Sequence, residues 1–262
     1  MKKLSKVLTL AMALTLGATG VAMATPSTQI WIPSTDIQSF GTFHLGIDNY
    51  IRTDRGPTGR QAGFYDIGPE AGFLPFEKLQ GEVGFDFVST NSDPNDSHPL
   101  SANFKIGTPE DALFKNSPAI AVGMYNLGPA LSSSIAPGVA SGQNLLYGLV
   151  AKTLPAFGSV PSLGRISAGG YHGSARALID ENGKKDNNGV LVSWDRTMAE
   201  ISDKLWVGVD YMSGDNVNGA VSFGASWNFA KNVSVIFGYD IWNKKAVAGE
   251  NTFTTQLDIN FP

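Results

Sequence analysis

The stretch Ala220-Val221-Ser222-Phe223-Gly224-Ala225-Ser226-Trp227-Asn228-Phe229 decides the fold. Val221, Phe223, Ala225, Trp227 and Phe229 fall on one side of an extended chain, and Ser222, Gly224, Ser226 and Asn228 on the other. A period of two over this length is the signature of a β-strand with one apolar face. After Ala230-Lys231-Asn232 the pattern resumes, with Val233, Val235, Phe237, Tyr239 and Ile241 alternating against Ser234, Ile236, Gly238 and Asp240. Two long strands joined by a tight turn make a hairpin.

The same alternation recurs upstream. Phe43, Leu45, Ile47 and Ile51 alternate with His44, Asp48 and Tyr50. Leu79, Val83, Phe85 and Phe87 alternate with Gln80, Glu82 and Asp86, and Leu205, Val207, Val209 and Tyr211 alternate with Trp206, Gly208 and Asp210. The polar faces favour Gly, Ser, Asn and Asp over the Lys, Glu and Thr of a water-facing sheet, which suits the crowded interior of a closed barrel. The pattern predicts about twelve strands, in a range of about ten to fourteen. They fall near 41–51, 63–69, 78–89, 100–107, 118–127, 144–154, 164–173, 189–197, 204–213, 219–229, 233–242 and 252–261. Pro69 makes the second short or bent. Connectors after odd strands, 53–62, 90–99, 128–143, 174–188 and 243–251, are long and polar, whereas 214–218 and most of those after even strands are shorter. Transmembrane barrels put long loops outside the cell and short turns in the periplasm. Thr108-Pro109-Glu110-Asp111 has the N-cap, first-turn proline and acids of a helix start, so one or two helical turns are expected there.

The first residues have another purpose. Met1-Lys2-Lys3 and Lys6 precede an apolar run from Val7 to Leu16, and Ala22-Met23-Ala24 offers a small-x-small cleavage site. This reads as a cleaved signal peptide over 1–24, with 25–262 forming the barrel. Losing those three lysines from nineteen basic residues leaves sixteen against twenty-three acids, a mature charge of −7. Such a balance argues against nucleic-acid binding. There is no cysteine, hence no disulfide framework.

At the C-terminus, Phe253, Leu257, Ile259 and Phe261 alternate with Thr254, Gln256, Asp258 and Asn260. This segment resembles the terminal strand through which bacterial outer-membrane β-barrels are recognised by the assembly machinery. It departs from that pattern in that Pro262 follows the aromatic. The resemblance implies an all-β, antiparallel transmembrane barrel of the porin-like type in the outer membrane, contacting lipid. Tyr50, Tyr125, Tyr147, Tyr171, Tyr211, Tyr239 and Trp242 cluster at one set of strand ends, with Trp227 and Phe229 at the other, as interfacial girdles would.

The residues that could carry chemistry are few. His98 lies in the acidic loop Ser92–Ser97, which lacks calcium-loop spacing. His44 shares a face with Asp48 and reads as part of a polar interior network. His172-Gly173-Ser174 resembles the His-x-Ser element of outer-membrane phospholipases and lipid A deacylases. However, Ala175 and Arg176 replace the phospholipase continuation, and no upstream asparagine can be assigned to orient His172. No catalytic residue, metal site or cofactor is expected. Strand parity instead turns Asp48, Glu82, Asp86, Asp210, Asp240, Asp258, Lys78 and Lys105 inward, with Asn103 and Gln256. A lumen of that charge favours cations and neutral polar solutes. The expected function is porin-like diffusion of small hydrophilic solutes with mild cation preference. Two alternatives stand beside it: a closed barrel that anchors a partner without conducting, and a lipid hydrolase using His172 and Ser174.

Overall fold

A computed structural model describes residues 27–90, 99–128, 142–156, 158 and 162–261. The expected signal peptide, the His98 loop, most of 128–143 and Pro262 lie outside them. Twelve antiparallel strands close on themselves. In chain order they are β1 (Phe43–Arg52), β2 (Phe64–Gly72), β3 (Gln80–Thr90), β4 (Leu100–Thr108), β5 (Ala119–Leu127), β6 (Leu145–Thr153), β7 (Arg165–His172), β8 (Asn188–Thr197), β9 (Leu205–Met212), β10 (Ala220–Ala230), β11 (Val233–Trp242) and β12 (Thr252–Phe261). Each pairs with its sequence neighbours, and β1 pairs with β12 from Phe43↔Phe261 to Arg52↔Thr252. An even count of up-and-down strands leaves both ends of the barrel chain on one side, here called the turn end. The opposite, loop end carries connectors 53–63, 91–99, 128–144, 173–187, 213–219 and 243–251.

Alternation assigns the two faces. Phe223, Phe237 and Phe253 are 47%, 49% and 38% exposed, while Ser222, Asp240 and Thr254, on the other parity, are fully buried. Val83, Phe85, Phe104, Val122, Val150, Ile166, Val192 and Val209 continue the apolar belt around the wall. At about 25 cal/mol per Å² a belt of this kind is tolerable in hydrocarbon and costly in water. Closure leaves no strand edge with unpaired backbone groups, the second condition for crossing a bilayer. The chain is a transmembrane β-barrel, the architecture of bacterial outer membranes.

Three local expectations need correction. Strand β2 runs full length despite Pro69. Its ladder to β3 skips from Ile67↔Phe87 to Glu70↔Gly84, so the missing proline donor falls in a gap. The 109–118 connector forms turns and no helix. Asp111 and Asn116 take positive φ of 63° and 66°, and the Asn116 amide donates to Asp111 Oδ1, closing a turn where a helix would have continued. The one short helix described is α1 (Lys245–Ala248), in the connector before β12. Finally, Tyr50, Tyr147, Tyr171 and Trp242 are 4–5% exposed and point into the barrel, and Tyr125 packs with them. Of the loop-end girdle only Tyr211 and Tyr239 face out, Tyr239 beside Phe223.

Placing Arg at Phe223 puts a charge on the lipid face and is expected to destabilise the barrel by on the order of 2–4 kcal/mol near the midplane. Reversible denaturant unfolding from lipid vesicles measures this. A Phe223→Arg barrel as stable as the parent contradicts the assignment of faces.

Candidate functional site

The interior is occupied by the chain's own N-terminal segment. Residues 27–38 form a hairpin inside the barrel. Thr28 bridges Pro33, the Gln29 amide donates to Ile32 O at 2.7 Å, and the Ser34 amide donates to Ser27 O at 3.1 Å. The tip, Ile30-Trp31-Ile32, points to the loop end, where Trp31 packs edge-on against Trp242 (4.9 Å), Tyr50 (5.6 Å) and Phe64 (6.3 Å). The chain leaves at the turn end, where Gly41 N donates to Gly72 O and Gly72 N to Thr42 O. A Cβ on Gly72 would come within 2.0 Å of Ser39 O, so only glycine lets the segment pass into β1.

Polar wall residues hold this hairpin. Asp210 Oδ2 accepts the backbone amides of Ile30 and Trp31 at 2.8 and 2.9 Å, and Gln256 Nε2 donates to Ile30 O at 2.7 Å. Lys105 Nζ donates to the carbonyls of Ser27 and Asp36 and pairs with Glu82 at 2.9 Å, while Glu82 accepts from the Gln38 amide. Arg165 grips Asp36 through two bonds of 2.6 and 2.7 Å and reaches Asp195 at 3.1 Å. Burial alone would push the Asp36 carboxyl up, but the Arg165 guanidinium outweighs it and holds the carboxyl below its ordinary value. Above these ties, toward the loop end, β6–β9 pack on the hairpin with apolar side chains. Ile32 joins Leu145, Tyr147, Leu149, Leu191 and Met212 in one buried cluster. Burying Ile30 and Ile32 contributes about 1.5–3 kcal/mol each.

The other side of the barrel is left open. A cavity of about 380 Å³ lies between the hairpin and strands β1–β4. It runs from Arg52, Phe64, Gln143 and Asn218 at the loop end to His44, Glu82 and Asp258 deeper in. Its lining carries Asp48, Asp66, Glu70, Glu82, Asp86 and Asp258 against Arg52 and Lys105. His44 bonds Asn260 at 2.7 Å and lies 3.6 Å from Asp258. Asp86 accepts from Asn103 at 2.5 Å, and Asp48 from the Tyr50 hydroxyl at 3.5 Å. Asp66 Oδ1 and Glu70 Oε2 are buried without a hydrogen-bond partner among the described residues. Among the same residues, no group of three or more acidic or histidine side chains could hold a metal ion.

The structure therefore divides the residues expected to line the interior. Asp48, Glu82, Asp86, Asp258 and Lys105 border the cavity. Asp210 and Asp240 face inward but away from it: Asp210 holds the hairpin tip, and Asp240 accepts from Thr252 at 2.7 Å. Lys78 is not inward at all. It sits exposed in the turn before β3 begins at Gln80, because the strand starts later than its alternation suggests. Sequence reasoning missed the hairpin, Asp66, Glu70 and Arg52. Parity along β2 could have found the two acids, since Asp66, Gly68 and Glu70 alternate with Ile67 and Pro69.

The His172 element has a partner that lies downstream of it. Asn188, directly across the ladder on β8, bonds His172 Nδ1 through its Oδ1 at 2.5 Å on the outer face. Ser174 does not complete a triad. Among the described residues no hydrogen bond joins it to His172, and its hydroxyl accepts the Arg176 amide at 3.4 Å.

No family model and no curated protein matches the chain. Among solved structures, the KdgM porin is similar over 84% of this chain and 99% of its own, at 7% identity and a TM-score of 0.49. The NanC porin covers 83% and 99% at 9% identity and 0.47. An outer-membrane channel from Pseudomonas putida F1 covers 86% and 97% at 11% identity and 0.47. At these values the likeness is one of overall shape.

Two outcomes follow from this site. With no native cysteine, a single Ser34→Cys thiol reports on the hairpin. It should resist maleimide in the folded barrel and label faster when Arg165→Gln releases Asp36. A thiol that labels like an exposed one in the parent contradicts the inserted hairpin. Ser174→Ala should leave phospholipid turnover by the purified barrel at background. Hydrolysis by the parent that this change abolishes would establish the lipid-hydrolase alternative.

Proposed function

We propose that this barrel passes small hydrophilic solutes across the outer membrane, with a preference for cations, through the space between its N-terminal hairpin and strands β1–β4. The long connectors would face outward and the short turns the periplasm, the usual sidedness of such barrels. One observation carries the reading: the cavity wall bears six carboxylates against one lysine and one arginine, and that lysine is already paired with Glu82. Carboxylates facing a narrow passage with low-dielectric walls lower the energy of a cation there and raise that of an anion. The remaining width suits single small solutes, because twelve strands enclose less space than a sixteen-strand porin and the hairpin takes part of it.

A second reading, a closed anchoring barrel, is favoured by the apolar packing of the hairpin against β6–β9. Planar-bilayer recording separates the two. The passage reading expects a small conductance whose reversal potential in a salt gradient reports cation preference. That preference should fade from 0.1 to 1 M salt, as the Debye length falls from about 10 Å to about 3 Å. It should also fall in Asp66→Asn with Asp86→Asn. Anion preference contradicts the reading, and silence from correctly folded protein supports the anchoring barrel.

A further inference from the structure

The cavity beside the hairpin has two poles of opposite character. At its loop end, two hydrogen-bond donors have no partner among the described residues: Nε of Arg52, and Nε1 of Trp242, which is 4% exposed. They lie together, with the Arg52 guanidinium carbon 5.8 Å from the centre of the Trp242 ring. The terminal nitrogens of Arg52 donate to the backbone carbonyls of Ala248, at 2.7 Å, and Glu250. Those acceptors are neutral, and none of the ion pairs among the described residues includes Arg52. Asp240 and Glu250 act on Arg52 through space without pairing with it, so the loop-end pole keeps an unpaired guanidinium beside a buried indole N–H, and one anionic acceptor can serve both.

The deeper pole is the reverse. Asp48 and Asp66 stand directly opposite one another on β1 and β2, and Asp86 leans over Gly68 from β3. Only uncharged donors reach them, Asn103 to Asp86 and Tyr50 to Asp48, and Asp66 Oδ1 has none. These carboxylates are not gathered closely enough to hold a metal ion. An ammonium group, with three donors around one charge, suits such an open set.

The poles are separated along β1 by the four-residue step from Asp48 to Arg52. At ~3.3 Å per residue that step is about 13 Å, shortened by the reach of the side chains. An α-amino acid, with both charged groups on one carbon, cannot touch both. Two or three extended residues, at ~3.3–3.6 Å each, can. Between the poles, Tyr50 and Phe64 stack at 4.3 Å with Trp31 beside them, which gives the uncharged middle of a ligand an aromatic wall.

We propose that this cavity selects short zwitterions with well-separated charges, such as di- and tripeptides. The carboxylate lies toward Arg52 and Trp242, and the ammonium lies on Asp48, Asp66 and Asp86. The proposal rests on the passage reading above and names its preferred solute.

Liposome swelling with three tripeptide probes tests it: triglycine, the slightly larger N-acetyl-triglycine, which lacks the ammonium, and the isosteric triglycine amide, which lacks the carboxylate. Triglycine should enter roughly ten-fold faster than either capped form, the ratio expected for one hydrogen-bonded charge. Asp66→Asn should remove the advantage over N-acetyl-triglycine. Arg52→Gln should remove the advantage over triglycine amide. Trp242→Phe, which deletes only the indole N–H and keeps an aromatic ring, should reduce that second advantage even if Arg52→Gln misfolds. The amide entering fastest overturns the zwitterion proposal and leaves cation passage standing, whereas equal rates for the three probes overturn the proposal and the cation preference with it. No entry of any probe through a folded barrel overturns the passage reading itself.

Discussion

The ladder between β1 and β12 is the contact on which the rest depends. Its pairs from Phe43↔Phe261 to Arg52↔Thr252 convert a sheet with two open edges into a wall with none. Once the wall is closed, every inward residue must find its partner inside. Phe261 takes part in this ladder through its pair with Phe43, and the two rings lie 5.9 Å apart on the outer face. Strand β12 is therefore the seal of the barrel.

Closure explains why the interior holds a hairpin. An inward carboxylate such as Asp210, fully buried in a dry wall, costs several kcal/mol unless donors meet it. Two backbone amides from the hairpin tip supply them. On the opposite flank, Arg165 sits between Asp36 and Asp195 and ties the hairpin's return strand to β7 and β8. The apolar half of the interior then packs on Ile32, and the acidic half is left as space. Leu145, Leu149, Leu191 and Met212 turn inward onto Ile32, whereas Asp48, Asp66 and Asp86 turn inward onto the cavity, and the two inward aspartates of the packed side, Asp195 and Asp210, are taken up by Arg165 and the hairpin amides.

Much of this fold is legible in the amino-acid sequence. Val221 to Phe229 shows its parity without ambiguity, because the outward residues are mostly bulky and the inward ones small. The strand count and the alternation of long and short connectors follow in the same way. Illegible features have weak local signals. The hairpin shows only the three-residue apolar run Ile30-Trp31-Ile32 before Pro33, too short to register as a strand and without partners nearby in sequence. Lys78 is misplaced by alternation because its parity agrees with the strand that follows, whereas pairing begins two residues later. The loop-end tyrosines mislead because aromatic residues at strand ends suit a membrane girdle and a barrel interior equally well by composition. Strand parity already separates Tyr50, on the polar face with Asp48, from Tyr211 and Tyr239 on the apolar faces, and the register turns Tyr147 and Tyr171 inward as a cross-strand pair.

In the proposed passage, conduction runs beside a hairpin that narrows the barrel without closing it. The decisive comparison is single-channel conductance of the intact protein against a variant lacking residues 27–38. A small, cation-preferring conductance is expected in the intact barrel and a clearly larger one without the hairpin. Equal conductance in the two proteins, or an intact barrel that conducts nothing until the hairpin is removed, would contradict it.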